Sequence, residues 1–82
     1  MSITVAMRFD RSDASKLRAL ADRAKIRDLL ADVSTYELAA DAAERGTALQ
    51  FECENADEAQ LIAAGFVVNG CTLPTIDAVR TA

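Results

Sequence analysis

The sequence predicts one small α/β (α+β) domain: a sheet of three or four strands, helices packed mainly on one of its faces, and a C-terminal Asn-Gly hairpin. Three observations lead there. Two segments alternate apolar and polar residues with the period of a strand. Apolar residues recur at helical spacing between and after them. An Asn-Gly pair sits between two short apolar runs. The 82 residues suit a single compact domain covering 1–82.

Residues 3–9 (ITVAMRF) form the first strand, with Ile3, Val5, Met7 and Phe9 on one face and Thr4, Ala6 and Arg8 on the other. The run Asp10-Arg11-Ser12-Asp13 is a turn and helix start, with Ser12 or Asp13 placed to cap the first free amides. From Ala14 onward Leu17, Leu20, Ala21 and Ala24 follow a helical stripe. The stripe then jumps to Ile26, Leu29, Leu30 and Val33, nearly opposite on the same wheel. Either the helix breaks near Ala24 and Lys25, or one long helix presents apolar groups on two sides.

Ser34-Thr35-Tyr36-Glu37 has the form of a capping box and predicts a helix over 35–45, ended by Gly46. Residues 47–54 (TALQFECE) alternate again, Leu49, Phe51 and Cys53 against Gln50, Glu52 and Glu54. Asn55 then caps a short helix over 56–64 that Gly65 ends, with Asp57 and Glu58 in the first turn. Residues 66–68 read as a short strand, Asn69-Gly70 as a hairpin turn, and Pro74-Thr75 as the opening of a last short helix carrying Ile76 and Val79.

Composition narrows the function classes. Hydrophobic residues make up 51% of the chain, too many for a disordered one, yet large apolar side chains are scarce: three Phe, one Tyr and no Trp. A chain this short buries only roughly 60–65% of its unfolded surface, so its core is thin. It has little room for a substrate cleft and a cofactor together. Formal net charge is −4, unevenly placed. Residues 1–30 hold seven basic and four acidic groups; residues 31–82 hold two basic and nine acidic ones. An acidic chain lacks the basic footprint that direct nucleic-acid binding needs. Residues 1–9 are too short for a secretory core, and no apolar run approaches the roughly 20 residues of a membrane span. The expectation is a cytoplasmic protein with Cys53 and Cys71 as reduced thiols.

Histidine is absent, which removes the commonest general base and metal ligand. Two cysteines 18 residues apart make a structural zinc improbable, and no phosphate-binding glycine loop or calcium loop is present. The expectation is no catalytic residue, no cofactor and no metal. Glu52 and Glu54, two apart on a strand, share a face and would divide acid and base roles if a cleft surrounded them. A solvated strand face is the plainer reading. Cys53 sits between two glutamates that raise its pKa, which suits a buried apolar role; Cys71, after the turn, is expected to be more exposed. Arg18, Arg23, Lys25 and Arg27 form either an anion-binding patch or a wet helix face interleaved with Asp22 and Asp28.

Two candidate surfaces remain. Glu52, Glu54, Asp57 and Glu58 place four carboxylates within seven residues, a set suited to docking on a partner protein with a basic surface. Ile26, Leu29, Leu30 and Val33 form the candidate seam of a homodimer or larger homo-oligomer. The chain, as a small acidic histidine-free domain with its Glu52-x-Glu54-x-x-Asp57-Glu58 cluster, resembles the phage-encoded anti-CRISPR proteins. That resemblance rests on the whole-chain profile, because those inhibitors share no motif. It implies a non-catalytic inhibitor in the host bacterial cytosol whose four carboxylates meet lysines and arginines of a Cas effector and block target DNA. The basic excess in residues 1–30 departs from uniform DNA mimicry.

Overall fold

A computed structural model describes residues 2–81. Its elements run β1 (Ile3–Arg8), a single 3-10 turn (Arg11–Asp13), α1 (Ala14–Ile26), α2 (Leu30–Arg45), β2 (Ala48–Cys53), α3 (Ala56–Val68) and β3 (Thr75–Thr81). The three strands form one antiparallel sheet of order β2-β1-β3, so the first strand in sequence is the central one. On one side Ile3 faces Cys53 and Arg8 faces Ala48. On the other, Val5 faces Val79 and Met7 faces Ile76, with a bulge at Asp77. The α+β class and a sheet of three strands are as expected, and two of those strands are the ones the alternation marks.

Alternation places β1 at the centre. Val5 and Met7 are fully buried on the helix side. Ala6 points to the open face and is still covered, because strands flank it on both sides. The core gathers Val5, Met7 and Phe9 against Leu17 and Leu20 of α1, alanines of α2, and Phe66 of α3. The expected inward face of β2 also holds: Cys53 is buried, Leu49 and Phe51 are partly buried, and Gln50 and Glu52 are exposed.

Each helix ends through a left-handed residue, at Asp28 (φ 58°), Gly46 (φ 70°) and Gly70 (φ 94°). After α1, the Asp28 amide donates to the Lys25 carbonyl and the Leu29 amide to Ala24. After α3, the Gly70 amide donates to Val67 and the Cys71 amide to Phe66. Both are six-residue Schellman closures that satisfy terminal carbonyls otherwise left bare.

These closures explain the boundaries that differ from the sequence expectation. The break between the first two helices lies at residues 27–29, past Ala24 and Lys25, because Asp28 tolerates the left-handed conformation. Helix α2 starts at Leu30 and not at Thr35: burial of Val33 outweighs the local capping signal, and Ser34 lies inside the helix. Neither Ser12 nor Asp13 caps α1. The Asp10 carboxylate instead accepts from the Ser12 amide at 2.9 Å and hydroxyl at 2.7 Å.

The C-terminal third carries the largest corrections. Helix α3 continues through Gly65 to Val68, so residues 66–68 are not a strand. Asn69-Gly70 closes that helix and is not a hairpin turn. A type I′ hairpin needs positive φ at both residues, but Asn69 sits at −86°. The stripe Ala59, Ala63, Phe66 is helical in spacing and buries against the core, which carries the helix past the glycine. Thr75–Thr81 is a strand and not a helix. Four of its seven residues are β-branched, and β1 offers it a whole edge of unpaired backbone groups.

The long loop between α3 and β3 is held by the start of α1. Asp13 is the one buried charged residue among those described, 3% exposed, and its carboxylate accepts from the Thr72 amide at 2.8 Å. Lys16 donates to the Gly70 carbonyl at 2.9 Å. Two stability effects follow. A Cβ at Gly65 meets nothing within 4 Å, so Gly65→Ala raises unfolding stability by about 1 kcal/mol through helix preference alone, read as a higher urea midpoint at unchanged slope. Asp13→Ala leaves a loop amide without its charged acceptor and lowers stability by about 1.5–3 kcal/mol in the same assay.

Candidate interaction surfaces

The β2–α3 junction is built by capping. The Asn55 side chain accepts from the Glu58 amide at 2.9 Å, and the Glu58 carboxylate reaches back to accept from the Glu54 amide at 3.0 Å. This reciprocal pair fixes the chain's exit from the sheet into α3. It also divides the acidic cluster. Glu58 is partly buried and engaged, whereas Glu52, Glu54 and Asp57 are exposed. Among the described residues the carboxylates of these three form no ion pair and accept no hydrogen bond. Glu54 lies beyond the last residue of β2, so the two-apart strand geometry proposed for Glu52 and Glu54 does not extend to it.

Among the described residues, most carboxylates elsewhere in the helical layer have partners, Asp28 and Asp32 excepted. Helix α1 runs antiparallel to α2, and charge stitches them together. Arg18 contacts Asp41 at 3.0 Å and Glu44 at 2.8 Å; Lys25 contacts Glu37 at 3.0 Å. The Asp41 and Glu44 hydrogen bonds hold the Arg18 pKa above its usual value, and the Glu37 hydrogen bond does the same for Lys25. Asp41 lies four residues before Arg45 on α2 yet pairs with Arg18 of α1. Asp77 accepts from Arg8 at 2.8 Å on neighbouring strands, and Arg8 also donates to the Gly46 carbonyl.

The candidate basic set is thus split. Arg18 and Lys25 belong to the α1–α2 seam. Arg23 on α1 and Arg27 just past its end, four residues apart, form no ion pair among the described residues and border a surface recess with Asp32, Tyr36 and Asn69. Sequence reading passed over this recess; the i,i+4 spacing of the two arginines was the available signal. Burial, with Asp32 next, pushes the Tyr36 hydroxyl pKa up. The Asn69 side-chain amide donates to the Gly65 carbonyl at 2.9 Å and reaches the Tyr36 hydroxyl at 3.5 Å.

The apolar stripe is split as well. Val33 is 8% exposed and belongs to the core, which removes it from the candidate seam. Ile26, Leu29 and Leu30 remain outside at the α1–α2 tip, 86%, 41% and 71% exposed.

Both thiols are free and buried. Cys71 is 6% exposed, against the expectation of an exposed group, because the Schellman turn folds it under Phe66. Burial, then the Asp13 charge, raises its pKa; burial, then Glu58, raises that of Cys53. Among the described residues no three or more His, Cys, Asp or Glu side chains are arranged to hold a metal ion, and no helix is long and apolar enough to cross a membrane. No protein-family model matches the chain, and neither the curated proteins nor the solved structures contain a match.

Raised thiol pKa values carry a definite pH dependence. The unfolded chain releases its thiol protons first as pH passes about 9, so the stability held below that pH declines above it. Ellman's reagent at pH 8 is accordingly expected to titrate neither thiol in the folded protein and both in 6 M guanidinium. A urea series from pH 8 to 10.5 should show the unfolding midpoint falling.

Proposed function

We propose that the chain is a non-catalytic protein-binding inhibitor, acting in the host bacterial cytosol in the manner of an anti-CRISPR protein. It docks Glu52, Glu54 and Asp57 on the basic, nucleic-acid-binding surface of a Cas effector and keeps target DNA out. One observation carries the reading: these three carboxylates stand exposed and without a partner among the described residues, at a junction that capping holds in one geometry. Carboxylates held by a fixed turn meet lysines and arginines with little ordering cost. The absence of histidine fits a role by occupancy rather than by reaction.

A second reading is a homo-oligomer assembled through the α1–α2 tip. The exposure of Ile26, Leu29 and Leu30 at one turn supports it, since grouped exposed apolar side chains mark interaction sites.

The deciding assay is a mobility shift of target DNA by purified Cas effector complexes of several types, with and without this chain. The parent is expected to suppress DNA binding by at least one effector. The double variant E52K/E54K, folded by circular dichroism, should lose about tenfold or more of that potency, equivalent to ~1.4 kcal/mol of binding. Suppression by none of the effectors, or equal potency of the variant, refutes the reading. Light scattering across a concentration range serves the second one, which requires a dimer or larger species that Leu29→Asp abolishes.

A further inference from the structure

Three recesses on the helical side of the molecule adjoin one another. One of about 130 Å³ is bordered by Leu20, Arg23, Arg27, Leu29 and Tyr36. A second, also about 130 Å³, shares Asp32, Tyr36 and Asn69 with it and adds Ile62 and Phe66. A third, about 240 Å³, shares Leu20, Arg23 and Asn69 and ends at Lys16 and Gly70. Together they make one trough that follows α1 from Lys16 to the α1–α2 tip, walled on its other side by α2 and the end of α3.

The chemistry of the trough is two-sided. Its floor is apolar, with Leu20, Ala24, Ile62 and Phe66, and Leu29 stands 41% exposed at its mouth. Its α1 wall is cationic. Lys16 is tied to the Gly70 carbonyl, but Arg23 and Arg27 have no ion-pair partner among the described residues. Cations at the end of a helix complement its dipole, and Lys25 on the same turn serves that role while bound to Glu37. The dipole therefore does not require both arginines to face the trough.

We propose that this trough is a docking groove for an acidic amphipathic segment of a partner protein. Carboxylates of that segment pair with Arg23 and Arg27, and its apolar side chains lie along Leu20, Ala24 and Leu29. Charge complementarity selects this occupant. A phosphate backbone would use the arginines alone, would leave the apolar floor bare, and would meet the Asp32 carboxylate in the wall. An acidic segment with an apolar stripe uses both sides of the groove. The groove shares no residue with the Glu52–Glu54–Asp57 surface, so the two proposals stand or fall apart.

The test uses three fluorescein-labelled probes: an acidic amphipathic peptide of about fourteen residues, four helical turns with leucines on one stripe and glutamates elsewhere; a poly-glutamate peptide of equal length; and an oligo-dT of equal length. Anisotropy gives affinities, and nitrogen–proton shift mapping gives the site. The amphipathic peptide is expected to bind about tenfold or more tightly than either other probe, with shifts concentrated on Leu20, Arg23, Arg27, Leu29 and Asn69. R23E/R27E should weaken it about tenfold, E52K/E54K should leave it unchanged, and D32N, which removes the repelling carboxylate, should tighten it several-fold. Equal or better binding of poly-glutamate or oligo-dT, shifts mapped elsewhere, or indifference to both R23E/R27E and D32N overturns the proposal. If R23E/R27E fails to fold, the D32N arm and the shift map decide.

Discussion

Phe66 is the contact on which the rest of the structure depends. The chain has only four aromatic residues, and the other three converge on this ring edge-on: Phe9 at 4.8 Å, Tyr36 at 6.0 Å and Phe51 at 6.4 Å between centroids. They come from the residue after β1, from α2 and from β2, so one side chain ties helix α3 to the sheet and to α2. Edge-to-face pairs add about 0.5–1.5 kcal/mol each beyond the burial of the rings themselves. In a thin core where alanines make up much of the remainder, beside Val5, Met7, Leu17 and Leu20, that is a large share of the net stability.

Its backbone matters as much as its ring. The Phe66 carbonyl accepts from the Cys71 amide, and that closure turns the chain out of α3 toward Asp13, Thr72 and β3. Strand β3 then supplies the second edge that β1 requires. Without Phe66 seated, nothing in the local sequence would stop the run Phe66-Val67-Val68 from extending as a strand, which is how its composition reads.

The surfaces follow from the same economy of charge. Antiparallel packing of α1 on α2 brings Arg18 and Lys25 opposite Glu37, Asp41 and Glu44, and these solvent-exposed pairs set register more than they add stability. Among the charges left over, two groups stand together: three carboxylates at the β2–α3 junction, and two arginines beside an apolar trough. An acidic chain with a basic first half thereby acquires two faces of opposite sign, a division that net charge alone conceals.

Strands β1 and β2, with their inward faces, were legible in the sequence, because period-two alternation is a local property that the sheet merely accepts. The stop at Gly46 and the cap at Asn55 were legible for the same reason: each is chemistry between neighbours in the chain. The acidic cluster could be named from its residues, though not that Glu58 would be engaged in a cap. The rest was decided by distant partners. Val33 drew α2 back past a good capping box by reaching the core. Phe66 carried α3 through Gly65 and converted Asn69-Gly70 from a hairpin signal into a helix end. The open edge of β1 made a strand of residues 75–81. Local sequence thus determined which segments could be strand or helix and where charge was plentiful. Tertiary structure decided which apolar residues were buried and which charges kept no partner, because both depend on contacts between residues far apart in the chain.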